Sequence, residues 1–404
     1  MNTRSLLPVI QWIEGGEGRS AVWRSEAGVS PPKRVHVADD TATADAAFRL
    51  ACEGTALLWR GDFQNARQLL QAMARRFDRK PRRRRNPGAL SHSPSEAFHQ
   101  QRMAQAQRAR TLGMLLIPVE KDHHILQRRA PDVQQACEEA YGAADAPYVV
   151  SLRELLGLIG AHQWRKNGVE IPALGGRIHP HYGVFSPVRG EYVALVADAP
   201  LPELLIHSPP SNSLAFDIGT GTGVLAAVLA SRGVARVIAT DQDQRALDCA
   251  SENLARLGFG KQVEVQLADL FPPGRAPLIV CNPPWVPARP SSPLEYAIYD
   301  PGSRMLRGFL DGLAAHLEPG GEGWLILSDL AEHLQLRSHS ELLALFEQGR
   351  LRVLGRHDVR PAHPRATDSA DPLHAARAAE VTSCLLYTSP SPRDRTRSRM
   401  PSSA

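Results

Sequence analysis

The sequence has few cysteines and no long apolar run. Its 404 residues include five cysteines and no Cys-x-x-Cys pair, which argues against a disulfide framework or a zinc ribbon. No window approaches the roughly 20 apolar residues that a membrane-spanning helix needs. Arg4, Pro8 and Glu14 interrupt the short apolar run at the N-terminus. These absences predict a cytoplasmic protein without signal peptide, membrane anchor or metal site.

Outside residues 384–404 the chain also has little net charge. The chain carries a net charge of +5, of which residues 384–404 contribute three through four arginines and one acid. This Ser/Pro/Arg-rich segment has no apolar periodicity and looks like translated sequencing-adapter sequence; the alternative is an authentic disordered basic tail. The nearly neutral remainder does not decide for or against a nucleic-acid partner.

The length predicts two domains. Residues 1 to about 40 show few periodic apolar positions and are expected to be loosely ordered. From Ala42, apolar residues recur at helical spacings on either side of Gly61 and Asp62, which predicts an antiparallel helix pair, and further helical patterns follow. We therefore expect a mostly helical domain over residues 1–165, and short strands, a helix and a linker over 166–210.

One basic run stands out in the front half. Arg82 to Arg85 lie between Pro81 and Asn86-Pro87-Gly88. Such a run is typical of a solvated loop, and the alternative is a contact with RNA or the ribosome.

From Leu214 the chain alternates strand and helix patterns over a domain that we place at residues 211–383. Alternation with short connections predicts an α/β, Rossmann-like parallel sheet with helices on both faces. Right-handed crossovers then place a ligand at the carboxyl ends of the strands.

The first of these strands ends in Asp217, and Gly219, Gly221 and Gly223 follow. Glycines let the backbone approach a ligand and direct N–H groups at it, which predicts a nucleotide-like ligand. A dinucleotide turn needs a third small residue at position 224, where valine stands.

This Asp-x-Gly-x-Gly-x-Gly pattern resembles motif I of class I S-adenosylmethionine-dependent methyltransferases. Asp241 ends the next strand, where an acid can accept both ribose hydroxyls, and Asp269 follows the third strand. The resemblance implies S-adenosyl-L-methionine as cofactor and assigns the adenine amino group to Asp269. The expected cofactor-binding residues are Asp217, Gly219, Thr220, Gly221, Gly223, Asp241, Asp269, Leu270 and Asn282.

The fourth strand is followed by Asn282-Pro283-Pro284-Trp285. Two prolines fix the turn, so that the Asn282 carboxamide and the Pro283 carbonyl present acceptor oxygens to an NH2 group. Two acceptors can draw a planar nitrogen toward tetrahedral geometry, while Trp285 stacks on the flat group. We predict these four residues to be catalytic; the structural alternative is a rigid turn with a buried aromatic.

The segment from Gly183 to Glu191 is similar to one in release-factor glutamine methyltransferases, within the small-domain methyltransferase superfamily. Its arginine falls one residue late, and Tyr192-Val193 replaces Thr-Glu. The resemblance implies a protein glutamine as acceptor, for example in a translation release factor, and an N-terminal domain that grips the protein substrate.

Two alternatives stay open. One is methylation of an exocyclic base amine in rRNA, tRNA or DNA, with Arg82 to Arg85 on phosphates. The other is a non-catalytic binding protein with the cofactor fold. Oligomeric state cannot be read from the sequence.

Overall fold

The computed structural model describes residues 7–78, 93–188, 190–207, 209, 213–290, 293–361, 368 and 371–388. The chain divides into two compact units, one within Met1–Ser91 and His99–Arg165, the other within His92–Phe98 and Lys166–Ala404. Arg82 to Arg85 and residues 389–404 lie outside the described residues. Among those described, no helix combines the length and apolarity that crossing a bilayer requires.

The first unit contains a mixed six-stranded sheet, so the prediction of a mostly helical N-terminal region is wrong. The strand order is β1-β2-β6-β5-β4-β3. The strands are β1 (Val9–Glu14), β2 (Glu17–Trp23), β3 (Arg34–Ala38), β4 (Thr55–Trp59), β5 (Leu115–Val119) and β6 (Tyr148–Ser151). The helices of this part of the chain are α1 (Ala44–Cys52), α2 (Phe63–Asp78), α3 (Pro94–Leu112), α4 (Gln134–Tyr141) and α5 (Leu152–Asn167).

The error has a physical cause in two short segments. Strand β4 has five residues, of which the four after Thr55 are apolar and buried, and it has parallel neighbours on both edges. A run this short fits a helix period as well as a strand, and only the neighbouring strands decide between them. Strands β1 and β2 form a hairpin through Gly15 and Gly16, whose φ angles are +61° and +84°. Two left-handed residues match the twist of paired strands, which orders a region predicted to be loose.

The second unit contains a seven-stranded sheet. The predicted parallel arrangement holds for only part of it, because the last two strands of the chain pair in the antiparallel sense. Its order is β11-β10-β9-β12-β13-β15-β14. The first five of these strands are parallel, and β15 is antiparallel to both of its neighbours. The strands are β9 (Leu214–Ile218), β10 (Arg236–Asp241), β11 (Val263–Leu267), β12 (Ala276–Cys281), β13 (Leu317–Ser328), β14 (Arg352–Val359) and β15 (Thr382–Thr388), after the small hairpin β7 (Val169–Ile171) and β8 (Gly176–Ile178).

Helices cover both faces of this sheet. Alternate residues of β12 belong to different buried clusters: Leu278 and Val280 to one, Ile279 and Cys281 to the other. All residues of α8 except the last are buried, because this helix packs within the first cluster. The helices are α6 (Glu191–Asp198), α7 (Glu203–His207), α8 (Val224–Ser231), α9 (Gln244–Arg256), α10 (Arg304–His316), α11 (Leu330–His333), α12 (His339–Gln348) and α13 (His374–Ala379).

The closing strand lies later than the sequence pattern suggests. A strand near Ala379–Thr382 is expected, whereas α13 ends at Ala379 and β15 begins at Thr382. The first five residues of the segment 384–404 therefore lie in the sheet. Cys384, Leu386 and Tyr387 are buried there, because the strand pairs on both sides.

Candidate active site

Four parallel strands end together at one edge of the second sheet. Ile218 pairs with Thr240 on one side and with Cys281 on the other, and Asp241 pairs with Leu267. The segments that follow these residues carry the glycine loop, Asp269 and Asn282. Residues predicted from three separate motifs are thus brought to one edge of the sheet, as the crossover rule requires.

The glycine loop adopts a conformation that favours glycine. Gly219, Gly221 and Gly223 have φ angles of +72°, +54° and +80°. The N–H groups of Gly219 and Thr220 donate to the Thr240 carbonyl over 2.9 and 2.8 Å. A Cβ on Gly223 would lie 3.2 Å from Ala250, whereas one on Gly221 would meet nothing within 4 Å. Hydrogen bonds hold the start of the loop and close packing holds its end, whereas the space beside Gly221 is unfilled.

Asp217 lies beneath the loop. Its side chain is buried, and Oδ2 accepts hydrogen bonds from the Thr220 hydroxyl (2.7 Å) and the Ala226 amide (3.0 Å). Burial raises the pKa of this carboxyl to about 6, against the lowering effect of those two donors. The carboxylate ties the loop to the first turn of α8; its predicted contact with a ligand stays a prediction.

Asp241 lies beside the centre of the loop. Its Oδ2 accepts the Gly221 amide and its Oδ1 accepts the Asp243 amide, each over 3.0 Å. Burial raises the pKa of Asp241 above its usual range. A carboxylate has about four acceptor positions, so these two bonds leave capacity for hydroxyl groups of a ligand.

Asp269 and Leu270 follow the third strand of this edge. Leu270 has a φ of +79°, and its carbonyl accepts a 2.6 Å hydrogen bond from the Thr240 hydroxyl. Asp269 forms a 2.5 Å ion pair with Arg304, and both side chains are more than half exposed. The sequence did not indicate these bonds of Thr240 and Arg304, because their partners lie 30 and 35 residues away along the chain.

Asn282 and Trp285 contact each other directly. The indole Nε1–H donates to Asn282 Oδ1 over 2.9 Å. Pro283 is buried, while Asn282, Pro284 and Trp285 are half-buried. Trp285 packs against the clusters on both faces of the sheet. One of the two acceptor positions of the carboxamide oxygen is thus occupied by the indole, and the other is left for a second donor.

A cavity of about 10 Å³ adjoins Trp285, room for roughly one water molecule. Its other lining residues are Glu191, Tyr192, Pro361 and Thr382. The segment from Gly183 to Glu191, singled out in the sequence, therefore ends beside the Asn-Pro-Pro-Trp motif. In the described ranges, no group of three His, Cys, Asp or Glu side chains is arranged to hold a metal ion.

The glycine loop fits a nucleoside-bearing cofactor, because the space beside Gly221 is open and the Asp241 carboxylate lies next to it. The second unit is a methyltransferase domain dependent on S-adenosylmethionine. Residues 177–352 match the family model described as methyltransferase small domain.

Curated relatives match parts of the same region. A release factor glutamine methyltransferase of Cereibacter sphaeroides is 40% identical over 120 residues, 26% of this chain and 43% of the relative. A ribosomal protein L11 methyltransferase of Sorangium cellulosum is 35% identical over 117 residues, 29% and 31% of the two chains. A tRNA1(Val) (adenine(37)-N6)-methyltransferase of Vibrio parahaemolyticus is 40% identical over 80 residues, 19% and 34%. The chain thus spans less than half the length of these relatives.

Proposed function

We propose that this chain is an N-methyltransferase that transfers the methyl group of S-adenosylmethionine to a planar amide or amine nitrogen. One observation carries the proposal: Cys281 and Ile218 are paired, so Asn282 and Gly219 begin adjacent loops at one sheet edge. A group bound by the Asn282 loop would therefore lie beside a cofactor bound by the glycine loop.

One set of residues would bind the cofactor, and a second set would position the acceptor nitrogen. Gly219 to Gly223 and Asp241 would hold the cofactor, which supplies an electrophilic methyl group when bound. The free acceptor position of Asn282 Oδ1 and the carbonyl oxygen of Pro283 would accept the two N–H bonds of the acceptor. Trp285 would lie against the flat acceptor group and exclude water.

The first candidate acceptor is a glutamine side chain of a protein, as in a translation release factor. It is favoured by the position of Glu191 beside Trp285, since the segment that resembles release-factor methyltransferases ends there. The relative from C. sphaeroides carries that name.

The second candidate is an exocyclic amine of a nucleic-acid base. A base amine is also planar and has two N–H bonds, so the same two acceptor oxygens suit it. The relative from V. parahaemolyticus is named for adenine N6 methylation in tRNA.

Incubation of the protein with a cell extract and methyl-labelled S-adenosylmethionine tests these proposals. We expect label in macromolecules that protease releases for a protein acceptor and nuclease releases for a nucleic acid. Asn282→Ala should lower incorporation by at least about 100-fold, the range found when a preorganised polar group is removed. Cofactor binding by calorimetry should stay within about threefold, since Asn282 acts on the acceptor.

Asn167→Ala is the matched control, because that side chain is exposed and belongs to α5, outside the strand-end loops that carry the site. It should leave both measurements unchanged. Full incorporation by the Asn282 variant would refute its role, and no incorporation by the wild-type protein would favour the non-catalytic alternative.

A further inference from the structure

The second unit contains one segment from far earlier in the chain. His92–Phe98 group with the methyltransferase domain, although the rest of that domain begins at Lys166. Within this segment Ser93 caps the start of α3 with reciprocal bonds: its hydroxyl accepts from the Glu96 amide, and its amide donates to the Glu96 carboxylate. This arrangement fixes the first turn of the helix and the direction of Phe98.

Phe98 is buried in a cluster next to the catalytic motif. Only 4% of its surface is exposed. The cluster includes Val286, directly after Trp285, and Trp285 itself packs against it. The remaining buried members are Leu334, Leu373 and Ala376.

The two ends of the loop after the Asn-Pro-Pro-Trp motif, at Val286 and at residues 298–300, are joined by hydrogen bonds beside Phe98. We call this junction the base of the loop. The Val286 amide donates to the Ile298 carbonyl over 3.2 Å, and the Val286 carbonyl accepts the Asp300 amide over 2.9 Å. Tyr299 lies between these bonds, and its ring meets the Phe98 ring edge-on at a centroid distance of 6.4 Å. Phe98 therefore touches the point at which both ends of the loop meet.

The same base is linked to the cofactor side. The Asp300 carboxylate accepts the amides of Met305 and Leu306 over 2.9 and 3.2 Å, which holds the start of α10. The Met305 methyl lies where a Cβ on Gly219 would be. Phe98 packs in the same cluster as Val286 and Trp285, whereas the cofactor side is reached only through Asp300 and α10. A shift of the loop base is therefore expected to move the acceptor side more than the cofactor side.

We propose that Phe98 is a positioning residue for methyl transfer: it holds the base of the loop after the motif and thereby sets the position of Trp285. This inference rests on the proposed function for its effect on transfer, but not for its effect on the loop. In this role Phe98 acts through its packing with Val286 and Trp285.

The test compares Phe98→Ala, Phe98→Leu and Phe77→Ala in the full chain. Phe77 is the matched control, because its ring also makes an edge contact, with Phe48, but lies in the first unit. The measurements are hydrogen exchange of the amides of residues 295–300, calorimetry with S-adenosylmethionine, and incorporation of labelled methyl groups from it into cell extract.

Phe98→Ala should speed exchange of the Tyr299 and Asp300 amides by roughly tenfold, because local opening becomes easier when packing at the base is lost. Methyl incorporation should fall by roughly tenfold while cofactor affinity stays within about threefold, since only the acceptor side is displaced. Phe98→Leu should bring both the exchange rate and methyl incorporation most of the way back to the wild-type values. Phe77→Ala should change neither quantity.

Unchanged exchange at residues 295–300 in Phe98→Ala would overturn the proposal, whatever the transfer assay shows. Equal losses of transfer and cofactor affinity would also overturn it, because they indicate general destabilisation. If the alanine variant does not fold, Phe98→Val takes its place with a smaller acceleration expected. Absence of transfer by the wild-type protein would count against the proposed function, while the exchange measurement would still decide the role of Phe98 at the loop.

Discussion

The two sheets of this protein present acids at the ends of parallel strands, yet these acids differ in their partners. In the first unit, β4 is followed by Gly61 and Asp62, beside Asp40 after β3. In the second unit, β9 leads to Asp217 and Gly219, beside Asp241 at the end of β10. Both units thus place an acid and a glycine at the end of a parallel strand, although the glycine precedes the acid in the first unit and follows it in the second.

The partners in the first unit are the protein's own side chains. Hydrogen bonding to Arg129, against burial, lowers the pKa of Asp62 to about 2, and Arg128 contacts the same oxygen. A Cβ on Gly61 would lie 2.5 Å from Asp40 Oδ1 and 2.8 Å from the Asp40 amide. The space beside this glycine is already filled.

The partners in the second unit are loop amides and one hydroxyl. Burial raises the pKa of Asp217 and Asp241, and no arginine is bonded to either carboxylate among the residues described. The space beside Gly221 is open. An acid held by backbone donors beside open space can serve a ligand, whereas one paired with arginines stabilises its own unit.

The largest difference between the two units is expected when Gly219 and Gly61 are substituted. Gly219→Val should weaken S-adenosylmethionine binding by roughly 1000-fold, about 4 kcal/mol, because a branched side chain is strained at positive φ and overlaps Met305. Gly61→Ala should destabilise the first unit without changing that affinity. Calorimetry measures the cofactor affinity of both variants, and thermal unfolding measures their stability. An equal loss of affinity in both variants would contradict the proposed difference between the two units.

The next largest effect is expected in how the free energy of unfolding depends on pH through the Asp217 carboxyl. Because its pKa is raised in the folded state, its contribution to stability is complete below pH 3.8 and lost as pH rises through about 6. Relative to Asp217→Asn, the wild type should therefore lose about 2 kcal/mol of unfolding free energy between pH 4 and pH 7, since each pKa unit is worth about 1.4 kcal/mol and part of the loss has already occurred at pH 4. Urea unfolding at both pH values checks this, and a constant difference would contradict it.

Asp241 and Asp62 provide a pair of matched carboxylates. Asp241→Asn should weaken cofactor binding by about 10- to 30-fold, because one acceptor beside Gly221 becomes a donor. Asp62→Asn should leave the affinity unchanged and lower the unfolding temperature, since its partners are Arg128 and Arg129. A loss of affinity in the Asp62 variant would show that the two units are coupled at this step.

The smallest effect is expected at the ion pair of Arg304 with Asp269. Both side chains are about 60% exposed, and exposed ion pairs contribute about 0–1 kcal/mol. Arg304→Ala should therefore change the dissociation constant for S-adenosylmethionine by less than about fivefold, measured at low and high salt. A larger loss would mean that Arg304 contacts the cofactor itself.

The sequence by itself determined the parallel part of the second sheet and the edge at which its polar motifs meet. Strand and helix periods alternate there, and the polar residues that end the strands are contiguous motifs, so local pattern and tertiary position agree. The glycines after Asp217 also follow from the chain alone, because positive φ is a local requirement. The role proposed for Asn282 to Trp285 likewise rests on four contiguous residues, which the chain read in order displays.

The tertiary structure decided what depends on distant partners. Strand β4 is too short to distinguish from helix until β3 and β5 flank it. Strand β15 lies inside the sheet because it pairs with β13 and β14. The burial of Asp217 and the packing of Phe98 beside Val286 join residues that no local pattern connects. Contacts across long sequence separations are set by packing and desolvation of the whole unit, so no short stretch of residues specifies them.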